Sequence, residues 1–367
     1  MLAEFLFRFR DYFFGFNVFR YITVRAALAA ITALVFALWV GPKVIALLRK
    51  YQIGEEIRIE GPESHQVKKG TPTMGGLIML IGVIIATLLW ADLSNIYRLL
   101  IFIATLIMGL IGFIDDYMKS ILKFKKGLIA RYKLIGQISL GLGIGLVVYF
   151  HPFFEGIHSN TSVPFLKNYE IDFGVFYIPV IIFVITGFSN AINLSDGLDG
   201  LASGLSAITF IAFGGIAYVT SNINFSNYLN VIYLPGTEQI AIFCLAMFGA
   251  AMGFLWYNSY PAEIFMGDTG SLALGSALGT AAILLKKELL LLLIAGVFIV
   301  EVLSVIMQTL YFKYTRRKYG EGRRIFRMAP IHHHFELKGW HENKVVVRFW
   351  IIGILLALLS LSTFKTQ

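Results

Sequence analysis

Aspartates carry the strongest chemical signal in this sequence. GFIDDYMK sets Asp115 and Asp116 side by side at the end of an apolar run, LSDGLDG holds Asp196 and Asp199, and MGDTGS holds Asp268. Carboxylates without a cysteine partner suit a hard cation such as Mg2+, which keeps several waters and bridges phosphate oxygens. LSDGLDG and MGDTGS each deliver an aspartate and glycines to the start of an apolar segment, where a helix N-terminus offers free N–H groups and a positive dipole to an anion. Lys68, Lys119, Lys133 and the histidines of APIHHHFE, His332, His333 and His334, add cations and donors. The combination points to phosphate chemistry.

Each piece also has a plainer account. A lone aspartate can cap a helix, and Asp115 can pair with Lys119 at i,i+4. The doublet resists that account, because neighbours on a helix project about 100° apart and only one of them can reach Lys119. The histidine triplet invites zinc, yet consecutive side chains diverge and no HExxH spacing occurs, so donors to phosphate or substrate fit better. Glu301, inside an apolar segment, is a functional candidate by position, and Gln308 shares its helix face; hydrogen bonding between helices accounts equally for both. Cys244 stands alone in an apolar run and reads as a small core residue.

The elements that must position these residues are membrane helices. Hydrophobic residues make up 57% of the 367 positions and charged ones only 14%, with a mean hydropathy of +0.74, which excludes an ordinary soluble domain. The net charge of +9 does not imply nucleic acid as a partner, since no soluble segment is long enough to read a groove and membrane orientation explains basic loops. A crossing helix needs roughly 20 apolar residues. Such runs fall near 23–48, 74–92, 97–115, 132–150, 173–193, 200–220, 238–256, 270–286, 289–312 and 345–363, giving an all-α bundle of about ten transmembrane helices. Residues 1–22, rich in phenylalanine and arginine, read as an interfacial helix, and residues 1–367 as a single polytopic domain without a repeat or linker.

Most of the 31 lysines and arginines lie in the loops after the first, third and ninth spans. Basic loops resist translocation, so loops after odd-numbered spans are expected in the cytoplasm and both termini outside. Every polar motif falls on an odd-numbered loop: SHQVKKGTPTMGG after the first span, GFIDDYMK at the end of the third, NAINLSDGLDGLA after the fifth, YNSYPAEIFMGDTGS after the seventh and FRMAPIHHHFE after the ninth. The outer loops, such as HPFFEGIHSNTSVPFLKNYE, show no comparable pattern.

VKKGTPTMGG, GFIDDYMK, NAINLSDGLDGLA, NSYPAEIFMGDTGSLALG and APIHHHFE, in this order, resemble the phospho-N-acetylmuramoyl-pentapeptide transferases of peptidoglycan synthesis, within the polyprenyl-phosphate N-acetylhexosamine 1-phosphate transferase superfamily. The resemblance runs from about residue 11 to the last span. It implies a Mg2+-dependent, multi-pass enzyme of the bacterial plasma membrane whose partners are undecaprenyl phosphate, UDP-N-acetylmuramoyl-pentapeptide, the lipid bilayer and a second copy of the chain as a homodimer. The implied products are lipid I and UMP, and the implied site faces the cytoplasm.

Carried over by position, the resemblance makes Asp268 the metal ligand, Asp115 the residue that deprotonates or positions the lipid phosphate, and Asp116 a neighbour of metal and phosphates. It sets Asp199 beside uracil with Phe265 stacked on it, and Asn258, Gly197, Leu198 and Gln308 along the nucleoside pocket. Lys68, Thr73, Lys133, Asn190 and Asp196 match polar positions around the diphosphate and nucleotide, and His332, His333 and His334 the sugar and peptide end. A sister activity, transfer of N-acetylglucosamine 1-phosphate from its UDP-sugar, shares the aspartates, and TPTMGG and APIHHHFE favour the muramoyl-pentapeptide reaction. A secondary transporter would place charges at span centres and show two related halves; an intramembrane metalloprotease would need metal ligands at helical spacing.

Overall fold

The computed structural model describes residues 2–51, 70–124, 127–166 and 169–366, and Lys68 lies outside them. In hydrocarbon every backbone polar group must be satisfied within the chain, so the apolar runs form helices. These are α1 (Leu2–Arg8), α2 (Ile22–Lys50), α3 (Gly76–Trp90), α4 (Ile96–Ser120), α5 (Ala130–Phe150), α6 (Tyr177–Ser195) and α7 (Leu201–Thr220). They continue as α8 (Ile223–Leu229), α9 (Glu238–Asn258), α10 (Gly267–Leu284), α11 (Glu288–Ile294), α12 (Gly296–Tyr319), α13 (Ile331–Glu336) and α14 (Glu342–Ser362). A two-stranded antiparallel hairpin, β1 (Asn160–Ser162) and β2 (Glu170–Asp172), interrupts the series.

Among the described residues, eight helices are long and apolar enough to cross a membrane: α2, α4, α5, α6 with its preceding turn, α7, α9, α12 and α14. The remaining two expected spans are α3 and α10. Helix α3 has 15 residues, and at 1.5 Å per residue reaches about 22 Å, short of a hydrocarbon layer of about 30 Å. Helix α10 is rich in glycine, alanine and serine, and every residue from Thr269 to Leu284 is buried. It is the axis of the bundle, with α3, α4, α6 and α7 packed around it. Small side chains permit such close backbone approach.

The ninth expected span is two helices, broken at Ala295 between α11 and α12. The hydropathy of the run stays high across the break, which is why the sequence pattern hides it. The expected interfacial helix is likewise split, into α1 and a 3-10 helix at Phe14–Arg20.

The end of the bundle opposite Asp268 is also built from polar contacts. Lys286 and Lys287, which separate two apolar runs in the sequence, are each 1% exposed. Glu288 accepts hydrogen bonds from Thr161 Oγ1 and Tyr177 Oη, and Lys287 Nζ donates to Ser162 Oγ at 2.8 Å, tying the hairpin to the α10–α11 link. A cavity of about 330 Å³ lined by Ser162, Tyr169, Asn227 and Lys287 opens there, and no acidic residue of the DD or MGD motifs lines it.

Candidate active site

Three aspartates from two distant parts of the chain converge at one end of the bundle. Asp115, Asp116 and Asp268 each offer a carboxylate oxygen within 4.8 Å of the other two, which could hold a metal ion. Gly112, one turn before the doublet on α4, makes this possible: a Cβ there would overlap the backbone carbonyl of Asp268. Its bare Cα lets α4 lie directly on the first turn of α10.

The doublet divides its work as the 100° offset requires. Asp116 Oδ1 accepts from the Asp268 amide at 3.1 Å, and Oδ2 accepts from the Thr269 amide at 2.9 Å and the Thr269 hydroxyl at 2.6 Å. Asp116 therefore caps α10, whose own preceding residues supply no side-chain cap. Asp115 turns the other way. Its Oδ1 accepts from the Leu128 amide at 2.6 Å, and its Oδ2 meets Lys133 Nζ at 2.7 Å and also Lys119 Nζ. The i,i+4 pairing with Lys119 is thus present, as one contact among several.

Lys133, from the first turn of α5, bridges Asp115 and Asp268. Asp268 Oδ1 accepts from Asn193 Nδ2 at 2.8 Å, and the same amide group lies 2.9 Å from Ser271 Oγ. The cluster alternates acids with ammonium groups over a few ångströms, an arrangement suited to phosphate oxygens and a hard cation. The residues fit Mg2+: all donors are carboxylate oxygens, and Asp116 Oδ1 accepts from the Asp268 amide and Asp268 Oδ1 from Asn193 Nδ2, which leaves lone pairs on both for a metal.

The loop between α9 and α10 carries Phe265, half-buried, and is clamped from several sides. The Phe265 amide donates to Pro72 O at 2.8 Å, and the Gly75 and Gly76 amides donate to Phe265 O and Met266 O, so the TPTMGG segment lies against the MGD turn. Thr73 is buried there beside Gly267. Asn258 Oδ1 accepts from the Gly200 amide at 3.1 Å and the Ser203 hydroxyl at 3.0 Å, while its Nδ2 donates to Ile264 O at 3.0 Å. Asp199 Oδ2 accepts from the Ala262 amide at 3.0 Å, and the Asp199 amide donates to Glu342 Oε1 on α14 at 2.7 Å. Leu198 is buried, and Asp196 is half-buried at the C-terminus of α6.

The structure does not bring all candidates into one pocket wall. Asn190 Nδ2 donates to Gln137 Oε1 on α5 at 3.0 Å and to Thr186 O. Gln308 spends its side chain on the segment leading to α13, accepting from the Ile325 and Phe326 amides and donating to Phe326 O. The three histidines face three partners: His332 Nδ1 lies 3.1 Å from Glu301 Oε2, His333 Nδ1 lies 2.8 Å from Glu336, and His334 Nδ1 accepts from the Arg327 amide at 3.0 Å. Partial burial, with Lys338 and Arg327 nearby, lowers His334 from the ordinary histidine value, consistent with its accepting role. The divergence leaves no shared zinc position among them.

A family model described as glycosyl transferase family 4 matches residues 98–286. Phospho-N-acetylmuramoyl-pentapeptide-transferases of Chloroherpeton thalassium and Chlorobium phaeovibrioides are 53% and 55% identical to this chain over 353 residues, covering 96% of it and 96% of each relative. The chain belongs to the phospho-N-acetylmuramoyl-pentapeptide-transferase family. A third member, from Chlorobium luteolum, is 54% identical over the same length.

For a member of this transferase family, sequence reasoning missed several parts of the site. Asn193 sits in the NAINLSD motif three residues after Asn190, so helical spacing alone could have marked it as a partner on a nearby face. Thr269 and the Leu128 amide gave no signal, because a hydroxyl next to an aspartate and a backbone N–H carry no distinctive pattern.

Proposed function

We propose that this transferase moves phospho-N-acetylmuramoyl-pentapeptide from its UDP-linked donor to undecaprenyl phosphate at the Asp115–Asp116–Asp268 cluster, on the cytoplasmic side of a bacterial plasma membrane. The observation that carries the reading is the convergence of three carboxylates with Lys119 and Lys133 at one end of a membrane bundle. A soluble nucleotide and a lipid phosphate can meet there, and phosphoryl transfer asks chiefly for positioning and charge neutralisation.

An oxygen of the lipid phosphate forms a bond to the sugar-linked phosphorus of the donor. The bond from that phosphorus to the oxygen bridging the two donor phosphates breaks, and UMP leaves with the electron pair. Mg2+, held by Asp268 with Asp116 Oδ1, would neutralise charge on the diphosphate. Lys133, between Asp115 and Asp268, exchanges its Asp268 contact for a phosphate oxygen and keeps Asp115. Asp115 orients Lys119 and Lys133 toward the lipid phosphate; a phosphate monoester has a second pKa of about 6 and is already mostly ionised at neutral pH, so positioning is the larger task.

Phe265 and the Asp199 loop form the uracil side, with Gly197, Leu198 and Asn258 shaping it and Gln308 acting through the backbone of Ile325 and Phe326 that it holds; Thr73, Asn190, Asp196 and Lys68 serve the diphosphate end, and the histidine segment the sugar and peptide. The odd-loop excess of lysine and arginine supports the cytoplasmic placement. The test is purified protein with undecaprenyl phosphate and Mg2+, offered UDP-N-acetylmuramoyl-pentapeptide or UDP-N-acetylglucosamine and scored for UMP. Release with the first donor alone is expected; release with the second alone would overturn the substrate assignment.

A further inference from the structure

Glu301 and His332 form a buried pair that the proposed reaction does not use. Glu301 stands on α12 and His332 on α13, and both side chains are fully buried. His332 Nδ1 lies 3.1 Å from Glu301 Oε2, at ion-pair distance but off the line of a hydrogen bond. Glu301 Oε1 and His332 Nε2 have no hydrogen-bond partner among the described residues. A carboxylate and an imidazole kept from water with incomplete pairing oppose folding, so packing alone gives no reason for them.

The far side of the imidazole supplies a reason. His332 Nε2 faces the bare Cα of Gly197, where a Cβ would collide with it. Gly197 stands between Asp196 and Leu198, in the segment whose Asp199 is tied to Ala262 in the loop that carries Phe265. A continuous line therefore runs from the interior of α12, through one imidazole, to the loop assigned to the nucleotide.

We propose that Glu301 is a positioning residue of the active site, acting through His332: its carboxylate fixes the imidazole by Nδ1, and the imidazole sets the place of the Gly197–Asp199 loop against the donor nucleotide. The inference rests on the transferase reading above. A carboxylate partner on Nδ1 selects the tautomer and ring orientation of a histidine. A purely structural acid would behave otherwise, because replacing a buried charged pair by apolar groups of similar shape is often neutral or stabilising.

The experiment uses the full-length protein in detergent with Glu301→Gln, Glu301→Met and His332→Asn, and Glu301→Gln combined with His332→Asn. Thermal unfolding, kcat and KM for the UDP-linked donor, and the 15N resonances of the His332 ring are measured. Glu301→Gln should raise the donor KM about tenfold, with a smaller change in kcat. In the His332→Asn background the same substitution should add no further loss. Wild-type KM in Glu301→Gln and Glu301→Met, or an undiminished loss in the His332→Asn background, would overturn the proposal. The ring resonances separate the two readings and need only Glu301→Gln to fold. They should shift in that variant whether or not the wild type releases UMP, and unshifted resonances would also overturn it. A wild type that releases no UMP while the resonances do shift would count against the transferase reading and leave the Glu301–His332 coupling supported.

Discussion

Asp116 on α4 accepts both the amide of Thr269, at 2.9 Å, and its hydroxyl, at 2.6 Å, and so caps a helix that begins about 150 residues later in the chain. Its neighbour Asp115 takes no part in that cap and faces Lys119 and Lys133. The two members of the doublet thus have separate duties, and substitution should separate them.

Asp116→Asn forces its amide group against an N–H or O–H donor in either orientation, because both carboxylate oxygens accept hydrogen bonds. A loss of about 1–3 kcal/mol in stability is expected. Asp115→Asn should cost less, since Lys119, with 41% of its side chain exposed, can turn to water and Lys133 keeps Asp268. Thermal unfolding of the two variants in detergent checks this, and equal losses would count against the division.

Asn193 holds Asp268 Oδ1 from α6. Removing a group that orients a metal ligand typically lowers metal affinity about 10- to 100-fold. Asn193→Ala should therefore need more Mg2+ for half-maximal UMP release, with turnover recovering at high Mg2+. An unchanged Mg2+ dependence would show that Asn193 does not orient the ligand.

The sequence makes the spans and the acidic residues legible for one reason: charge is rare in this chain, so both the apolar runs and their polar ends stand out. It does not reveal that α10 is the axis, because its glycines, alanines and serines lower the hydropathy of the helix that is most enclosed. The break at Ala295 is hidden because residues on both sides are equally apolar. Asp116 as a cap for α10, and Glu301 beside His332, are tertiary contacts between segments far apart, and no local spacing encodes them. The loop aspartate Asp199 is legible as an acid between glycines and Asn258 only through the family resemblance, but their clamping of the α9–α10 loop emerges only from the hydrogen bonds.

Gly112 sets the distance between α4 and the first turn of α10. Gly112→Ala has no room beside the Asp268 carbonyl, so α4 must shift outward and carry Asp115 and Asp116 with it. UMP release should fall more than about tenfold, since small misplacements of catalytic groups can cost about 100-fold. Mn2+ binding, read by electron paramagnetic resonance as a probe of the acidic cluster, should weaken in parallel; tight binding with normal turnover would contradict this role for Gly112.

At the opposite end, burial lowers the Lys287 ammonium to about 8, against the opposing pull of Glu288 and Glu170. A lysine whose folded value lies below its unfolded value of about 10.4 binds fewer protons in the folded state between those pH values, so stability rises with pH there. From this group alone, the midpoint of thermal unfolding should increase between pH 8 and 10, and Lys287→Met should flatten that slope. An identical slope in wild type and variant would remove Lys287 from the pH dependence.

The identity of the lipid product bears most directly on the assigned reaction. Purified protein in detergent, given undecaprenyl phosphate, Mg2+ and an equal mixture of UDP-N-acetylmuramoyl-pentapeptide and UDP-N-acetylglucosamine, would have its lipids resolved by mass spectrometry. Undecaprenyl-diphospho-N-acetylmuramoyl-pentapeptide, lost on Asp268→Ala, is the expected product; undecaprenyl-diphospho-N-acetylglucosamine in its place, or no diphospholipid at all, would contradict the assignment.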